Sequence, residues 1–243
     1  LLLTPTAALA TITVNEISRV LPAGGRIYIL GGDNAISPAV ETQLPGMGYE
    51  VTRLAGIDRY ATAVAVADVM GDPTTVFEAD GTNFPDALSA GSAAGQTHGA
   101  ILLTAGTKLP GATSAYLAAH PGSTRYAIGG PAAQADPGAQ AFVGVDRYAT
   151  SIMVATQFFP TPTSIGFASG STFPDALSGG VVASLNDGPM VLVPGNGAMP
   201  ATALAYLAAA SPTVTAAWLF GGIPSVAGGI FTQISDTLSS PAP

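Results

Sequence analysis

GIDRYATAVAVA at residues 56–67 and GVDRYATSIMVA at residues 144–155 are one phrase written twice in a chain of 243 residues. The echo runs well past these twelve positions. TNFPDALSAG (82–91) returns as STFPDALSGG (171–180), and LPGATSAYLAA (109–119) returns as MPATALAYLAA (199–209). Asp58 and Asp146 lie 88 residues apart, Pro85 and Pro174 lie 89 apart, and Tyr116 and Tyr206 lie 90 apart, so only a residue or two of loop has drifted between copies. Solenoid repeats have periods of roughly 20–50 residues. This period is domain-sized, which predicts copies that each enclose a small core.

The sequence between the motifs alternates short apolar runs with longer stretches of helical spacing, the pattern of a β/α chain. Strands are predicted at 1–4, 26–30, 51–54, 75–79, 99–103, 124–128, 140–143, 164–168, 189–193 and 214–220. Helices are predicted at 6–20, 37–45, 58–70, 84–96, 110–119, 146–158, 173–186, 199–209 and 225–238. Runs such as Ala100-Ile101-Leu102-Leu103 are apolar at successive positions, as in parallel strands covered on both faces. Asp58 and Asp146 stand where a helix N-cap belongs. Pro85 and Pro174 suit the first helical position, with Asp86 and Asp175 just inside the first turn.

Three strands end in Gly-Gly, at Gly31-Gly32, Gly129-Gly130 and Gly221-Gly222. From Gly-Gly to the Asp-Arg-Tyr motif is 27 residues in the first case and 17 in the second, which predicts that the helix at 37–45 has no counterpart and that PAAQADPG (131–138) is a polar loop. LLLT (1–4) matches ILLT (101–104) and VLVP (191–194), so the apolar N-terminus reads as a buried strand rather than a signal peptide, which would need a basic n-region. The parts then sort into a C-terminal half-module at 1–50, a whole module at 51–139 and another at 140–243. On this count, residues before Leu1 or a neighbouring chain are expected to complete the half-module.

Composition excludes several functions. Net charge is −8, charged residues make up 9% of the chain, and the one lysine is Lys108. No Lys or Arg follows Arg147, so a basic patch for nucleic acid is not expected there. Cysteine is absent, which removes disulfides and thiolate metal sites. No uninterrupted apolar run reaches the roughly 18 residues of a membrane span. The Gly-Gly loops lack the further glycine of a dinucleotide fingerprint and no Walker lysine is present, so no cofactor is expected. Glu78 and Asp80 form the one tempting metal or acid/base pair, but the second copy has Phe167 and Ser169 in their places, and a solvated loop is the expectation. His98 and His120 read as isolated loop residues. No catalytic constellation emerges.

The four motifs, recurring in register over nearly the whole chain, resemble the cell-wall-binding repeat type 2 family of Gram-positive surface proteins. The resemblance implies an α/β fold of tandem modules with mainly parallel sheets flanked by helices, Toprim-like in topology, with modules associated about a pseudo-threefold. It also implies a secreted, non-catalytic anchoring role at the cell surface, through noncovalent retention on an anionic wall polysaccharide, and ties an Ile-Leu-Leu stretch, here Ile101, Leu102 and Leu103, to anchoring. Physically these three residues are expected to form a central strand. The candidate ligand contacts are Arg59, Tyr60, Asn83, Phe84 and Asp86, and in the next copy Arg147, Tyr148, Thr172, Phe173 and Asp175. Arg59 and Arg147 have a structural reading, pairing with Asp86 and Asp175, and a ligand reading, a guanidinium fork facing a glycan. Tyr60, Tyr148, Phe84 and Phe173 read either as packing aromatics or as sugar platforms. An acidic chain cannot draw in an anionic polymer by long-range attraction, so binding would use local arginines, helix N-termini and hydrogen bonds, or the polymer is neutral. The alternative class is a self-assembling surface-layer or fibre subunit built from the same modules.

Overall fold

The computed structural model describes residues 1–239 as an α/β chain in two units, Leu1–Asp72 and the remainder from Pro73. The first unit runs α1 (Thr11–Val20), β1 (Arg26–Leu30), α2 (Pro38–Gly46), β2 (Glu50–Leu54), α3 (Arg59–Met70). Its two strands are parallel, with Arg26 opposite Glu50. Ile17, Ile29, Leu44 and Tyr49 make its core.

The second unit carries two further parallel sheets. The first comprises β3 (Thr75–Asp80), β4 (Ala100–Thr104), β5 (Thr124–Ile128) and β6 (Gln140–Phe142) in the order β4-β3-β5-β6, linked by α4 (Pro85–Thr97), α5 (Gly111–Ala119) and α6 (Gly130–Ala135). The second comprises β7 (Ser164–Ser169), β8 (Met190–Val193) and β9 (Ala216–Phe220) in the order β8-β7-β9, with α7 (Arg147–Phe158), α8 (Pro174–Leu185), α9 (Ala201–Ala210) and α10 (Gly228–Ser239). Parallel strands require right-handed crossovers. The step from β3 to β4 and the steps from β4 to β5 to β6 run in opposite directions across the sheet, which puts α4 on one face and α5 and α6 on the other.

The two copies do not close separate cores. Helix α7 lies between them: its Val154 packs with Phe77, Ile128 and Phe142 of the first sheet, while Ile152 and Ala155 pack with Phe167 and Val191 of the second. A helix apolar on opposite sides is one with neighbours on opposite sides. The strands follow the same logic, because β2 pairs with β1 and β6 pairs with β5. The sheets are therefore out of phase with the sequence repeat.

Strand β8 is an edge strand, and its outward N–H groups would be orphans in a dry interior. One helix of the preceding repeat, α4, and one of the same repeat, α7, cover them. The N–H of Met190 donates to Ser92 Oγ of α4 at 2.9 Å, and that of Leu192 donates to Ser151 Oγ of α7 at 3.2 Å. Two hydroxyls thus stand in for the missing neighbour strand.

Several expectations need correcting. Residues 1–4 are irregular, with Leu1, Leu2 and Leu3 exposed at 51%, 44% and 46%. Their counterparts β4 and β8 are held by β3 and β7, and residues 1–72 contain no strand equivalent to those two. The segment after Gly129-Gly130 is not all loop, since Pro131 at the start and a run of small residues fold it into the short helix α6. Ile101, Leu102 and Leu103 lie on an edge strand, not a central one.

Ser92→Ala and Ser151→Ala each strand a buried amide and should cost about 1–3 kcal/mol. Ser178→Ala, whose hydroxyl only bonds back within α8, should stay within about 0.5 kcal/mol of wild type. Urea unfolding of the three variants measures the difference.

Candidate functional site

Two motifs that the sequence keeps apart meet at the C-terminal ends of β3 and β5. The Asp86 carboxylate, just inside the first turn of α4, lies against the Cα of Gly129, so a β-carbon there would overlap it. Gly129 has φ +87° and ψ 158°, a region open essentially to glycine alone. The second copy repeats the arrangement, with Asp175 against Gly221 at φ +105°. Each Phe-Pro-Asp therefore requires its own Gly-Gly.

A third motif closes the site. Ahead of α7, Gly144 passes so near the helix start that a side chain would collide with Ala149 and Thr150. Its N–H donates to Thr150 Oγ1 at 3.1 Å, and Asp146 caps the helix by accepting from the N–H of Ala149 at 2.8 Å. The first unit builds the same hook, from Gly56 to Thr62 at 3.0 Å and with Asp58 accepting from Ala61 at 2.8 Å.

These pieces enclose a cleft of about 250 Å³ lined by Asp80, Asn83, Pro85, Asp86, Gly129, Gly130, Pro131, Gly144, Asp146, Arg147 and Thr150. It is composite, with one wall from the first Phe-Pro-Asp and Gly-Gly loops and the other from the hook that opens the next repeat. Strand ends of open parallel sheets are where such folds collect ligands. The first unit has the corresponding Gly-Gly and hook, and its wider cleft of about 650 Å³ is lined by Gly31, Gly32, Asp33, Asn34, Arg53, Asp58, Arg59 and Thr62 among others.

Of the candidates, the structure brings Asn83, Asp86 and Arg147 into one cleft and places Arg59 in the other. Arg147 does not use Asp175. Its guanidinium donates to the Gly170 carbonyl, lies 5.8 Å from the Phe84 ring centroid and bears on Asp86 of the preceding repeat. The charge therefore ties consecutive copies together rather than two helices of one copy. Phe84 meets Phe173 at 6.0 Å between centroids, and Tyr148 and Phe84 pack on Leu88, Ala176 and Leu192, away from the cleft lining. Tyr60 is half-buried and outside the lining of its cleft. Thr172, Phe173 and Asp175 lie at the second copy's own loop end.

Asp80 is a residue the sequence misjudged. It is 7% exposed, not a solvated loop residue, and its carboxylate accepts from the N–H and hydroxyl of Thr82 and from the N–H of Gly106. Its counterpart Ser169 does a smaller version of this work by accepting from the N–H of Ser171 at 3.1 Å. The position is polar in both copies, Asp80 and Ser169, and that was the available signal. Asp80 and Asp146 are thus already engaged with backbone donors. Burial and the neighbouring Asp80 push the Asp86 carboxyl up to about 6, against the pull of Arg147. The cleft offers carboxylate acceptors, an amide and one guanidinium, a set that suits a hydroxyl-rich ligand better than a polyanion. Among the described residues no group of three or more His, Cys, Asp or Glu is arranged to hold a metal.

The model of the cell wall binding domain 2 (CWB2) family matches residues 53–136 and 142–230, which is most of the chain. The protein belongs to the CWB2 family. Its modules are therefore cell-wall-binding modules of an anchoring kind, placed at the cell wall or surface. The fold of this CWB2 chain is also that of Cwp6 from Clostridium difficile, with TM-score 0.85 and 22% identity over 97% of this chain and 39% of that one. Cwp8 from Clostridium difficile gives TM-score 0.82 and 22% identity over 95% and 41%. The chain is 24% identical over 175 residues to the N-acetylmuramoyl-L-alanine amidase LytC of Bacillus subtilis (strain 168), covering 70% of this chain and 35% of the relative. It thus spans well under half the length of each of these proteins. No helix among its described residues is long and apolar enough to cross a membrane.

Gly129→Ala should cost about 1–3 kcal/mol from backbone strain alone, plus the displacement of Asp86. Gly130→Ala, where a β-carbon meets only Val143 at 3.8 Å, should be neutral or slightly stabilising. Thermal unfolding of the two variants separates them.

Proposed function

We propose that this CWB2 chain is the non-catalytic attachment part of a secreted surface protein, and that a wall polysaccharide seats in the composite cleft between consecutive repeats. The observation that carries the reading is the convergence of Asn83, Asp86 and Arg147, the last 61 residues beyond Asp86 in sequence, on one hollow at the sheet's C-terminal edge. With a net charge of −8, affinity comes from hydrogen bonds at short range. Retention on isolated walls is therefore expected to weaken little with added salt, unlike attachment driven by exposed opposite charges.

A second reading is chain-to-chain assembly, favoured by one surface. Phe173, Leu177, Val181 and Leu185 repeat every four residues along α8 and are all exposed, Leu185 at 79%. Such a stripe suits packing against another apolar face. Salt-resistant polymers formed in the absence of walls would favour it.

Asn83 has an exposed side chain whose one hydrogen bond is to the N–H of the next residue, Phe84, so Asn83→Ala removes a cleft donor and acceptor without touching the core. Loss of one or two ligand hydrogen bonds, about 1–1.5 kcal/mol, corresponds to roughly five- to tenfold weaker retention in a pull-down with isolated walls. Wild-type retention by both Asn83→Ala and folded Arg147→Ala would remove the cleft from the account.

A further inference from the structure

Glu78 is the most anomalous side chain in the molecule. It sits mid-strand on β3 at 0% exposure, and neither carboxyl oxygen has a hydrogen-bond partner. Its neighbours on β3, Phe77 and Ala79, point into the core beneath α4, so Glu78 points to the opposite face, where α5 and α6 lie. The second copy has Phe167 at this position, fully buried in its core. The first copy has thus placed an ionisable group where its twin has a phenyl ring.

What lies beside Glu78 is another acid. Asp136, 7% exposed, is the C-cap of α6, and its Oδ2 stands 2.7 Å from an Arg125 nitrogen of β5 while its Oδ1 accepts from the N–H of Gly138. Asp136 is thus ion-paired to Arg125, and its carboxyl group acts on Glu78. On the same face, Asp80 is saturated by Thr82 and Gly106. Helix α5 carries Tyr116 and His120 there, stacked at 4.0 Å between centroids, so His120 is not the isolated loop residue expected from sequence. The α4 face contributes Phe77's apolar neighbours and no charge beside Glu78.

We propose that Glu78 and Asp136 form a protonation latch on α6. A protonated Glu78 donates its hydrogen to the Asp136 carboxylate and pins the C-terminal end of the helix to the sheet; an ionised Glu78 repels it. The latch matters because the other end of α6 begins with Gly130 and Pro131, which line the cleft. Resting on the reading of that cleft as the wall site, the inference makes wall grip depend on pH: firm in acid, weakening through neutrality and loose in alkali.

The direction is set by linkage. Burial first, and Asp136 second, push the Glu78 carboxyl up to about 8, with Arg125 opposing. The folded state then holds a proton that the unfolded chain releases near the ordinary value of 4.5. The stability this proton confers is complete below about 4.5 and is lost, up to tenfold in the folding equilibrium per pH unit, as pH rises toward about 8.

The test needs no ligand. Amide exchange along Gly130–Ala135, expressed as protection relative to the intrinsic rate at each pH, should fall about tenfold or more between pH 6.5 and 9 in the wild-type chain and stay level in Glu78→Gln. Should Glu78→Gln fail to fold, Asp136→Asn should shrink the pH dependence in the same way. Equal losses of protection in wild type and variant, or none in either, overturn the latch. Wall retention at pH 6.5 and 9 then tests the coupling. A wild-type chain that lets go at pH 9 while Glu78→Gln holds supports it. Unchanged retention despite a pH-dependent α6 overturns the coupling to the cleft. A chain that never binds walls defeats the wall reading and leaves the exchange result to decide the latch.

Discussion

The open edge of β8 is the constraint from which much of the second unit follows. A short parallel sheet cannot leave a row of amides facing a dry interior, and this chain has only β7 to satisfy one side of β8. It solves the other side with two hydroxyls, Ser92 from the preceding repeat and Ser151 from its own. For those hydroxyls to arrive, α4 and α7 must lie along the edge, and α7 must then be buried between two sheets. Its small residues, Ala149, Ser151 and Ala155, let it fit. The repeats are therefore not beads on a string: each supplies part of the next one's interior.

The same dovetailing makes the cleft. Because α7 belongs to the next sequence repeat yet packs under the previous sheet, its N-terminal hook is delivered to the previous sheet's strand ends. There it meets Asp86, seated on Gly129. A cleft formed this way exists only where repeats follow one another in place, so the proposed binding would depend on the packing of consecutive repeats. The electrostatics agree with a neutral, hydroxyl-bearing ligand. Asp80 and Asp146 are occupied by backbone donors, Asp86 is pushed up toward neutrality, and Arg147 is committed to Gly170 and to Phe84.

Much of the fold was legible because it is written in local chemistry. Apolar runs gave the parallel strands, Asp58 and Asp146 gave caps that the structure shows bonded to Ala61 and Ala149, and Pro85 and Pro174 marked helix starts. What sequence could not show was which copy each element would pack against. Arg147 pairs backward with Asp86's repeat, since a repeat read along the chain suggests partners inside a copy while the helix crosses to its neighbour. Leu1–Leu3 match β4 and β8 residue for residue yet form no strand, because strand formation depends on a partner and not on the segment alone. A carboxylate at Glu78 that its twin replaces with Phe167 suggests a solvated position from sequence, yet both residues are buried, because the two copies fill the same interior site with unlike side chains.

On the proposal above, a wall glycan is held between consecutive repeats. Hydrogen-exchange footprinting of the chain with and without solubilised, purified wall polysaccharide tests it most directly. The account predicts new protection at residues 80–86, 129–131 and 144–150 together, with none on α9 or α10. Protection confined to one of those three segments, or centred on the α8 stripe, would contradict it.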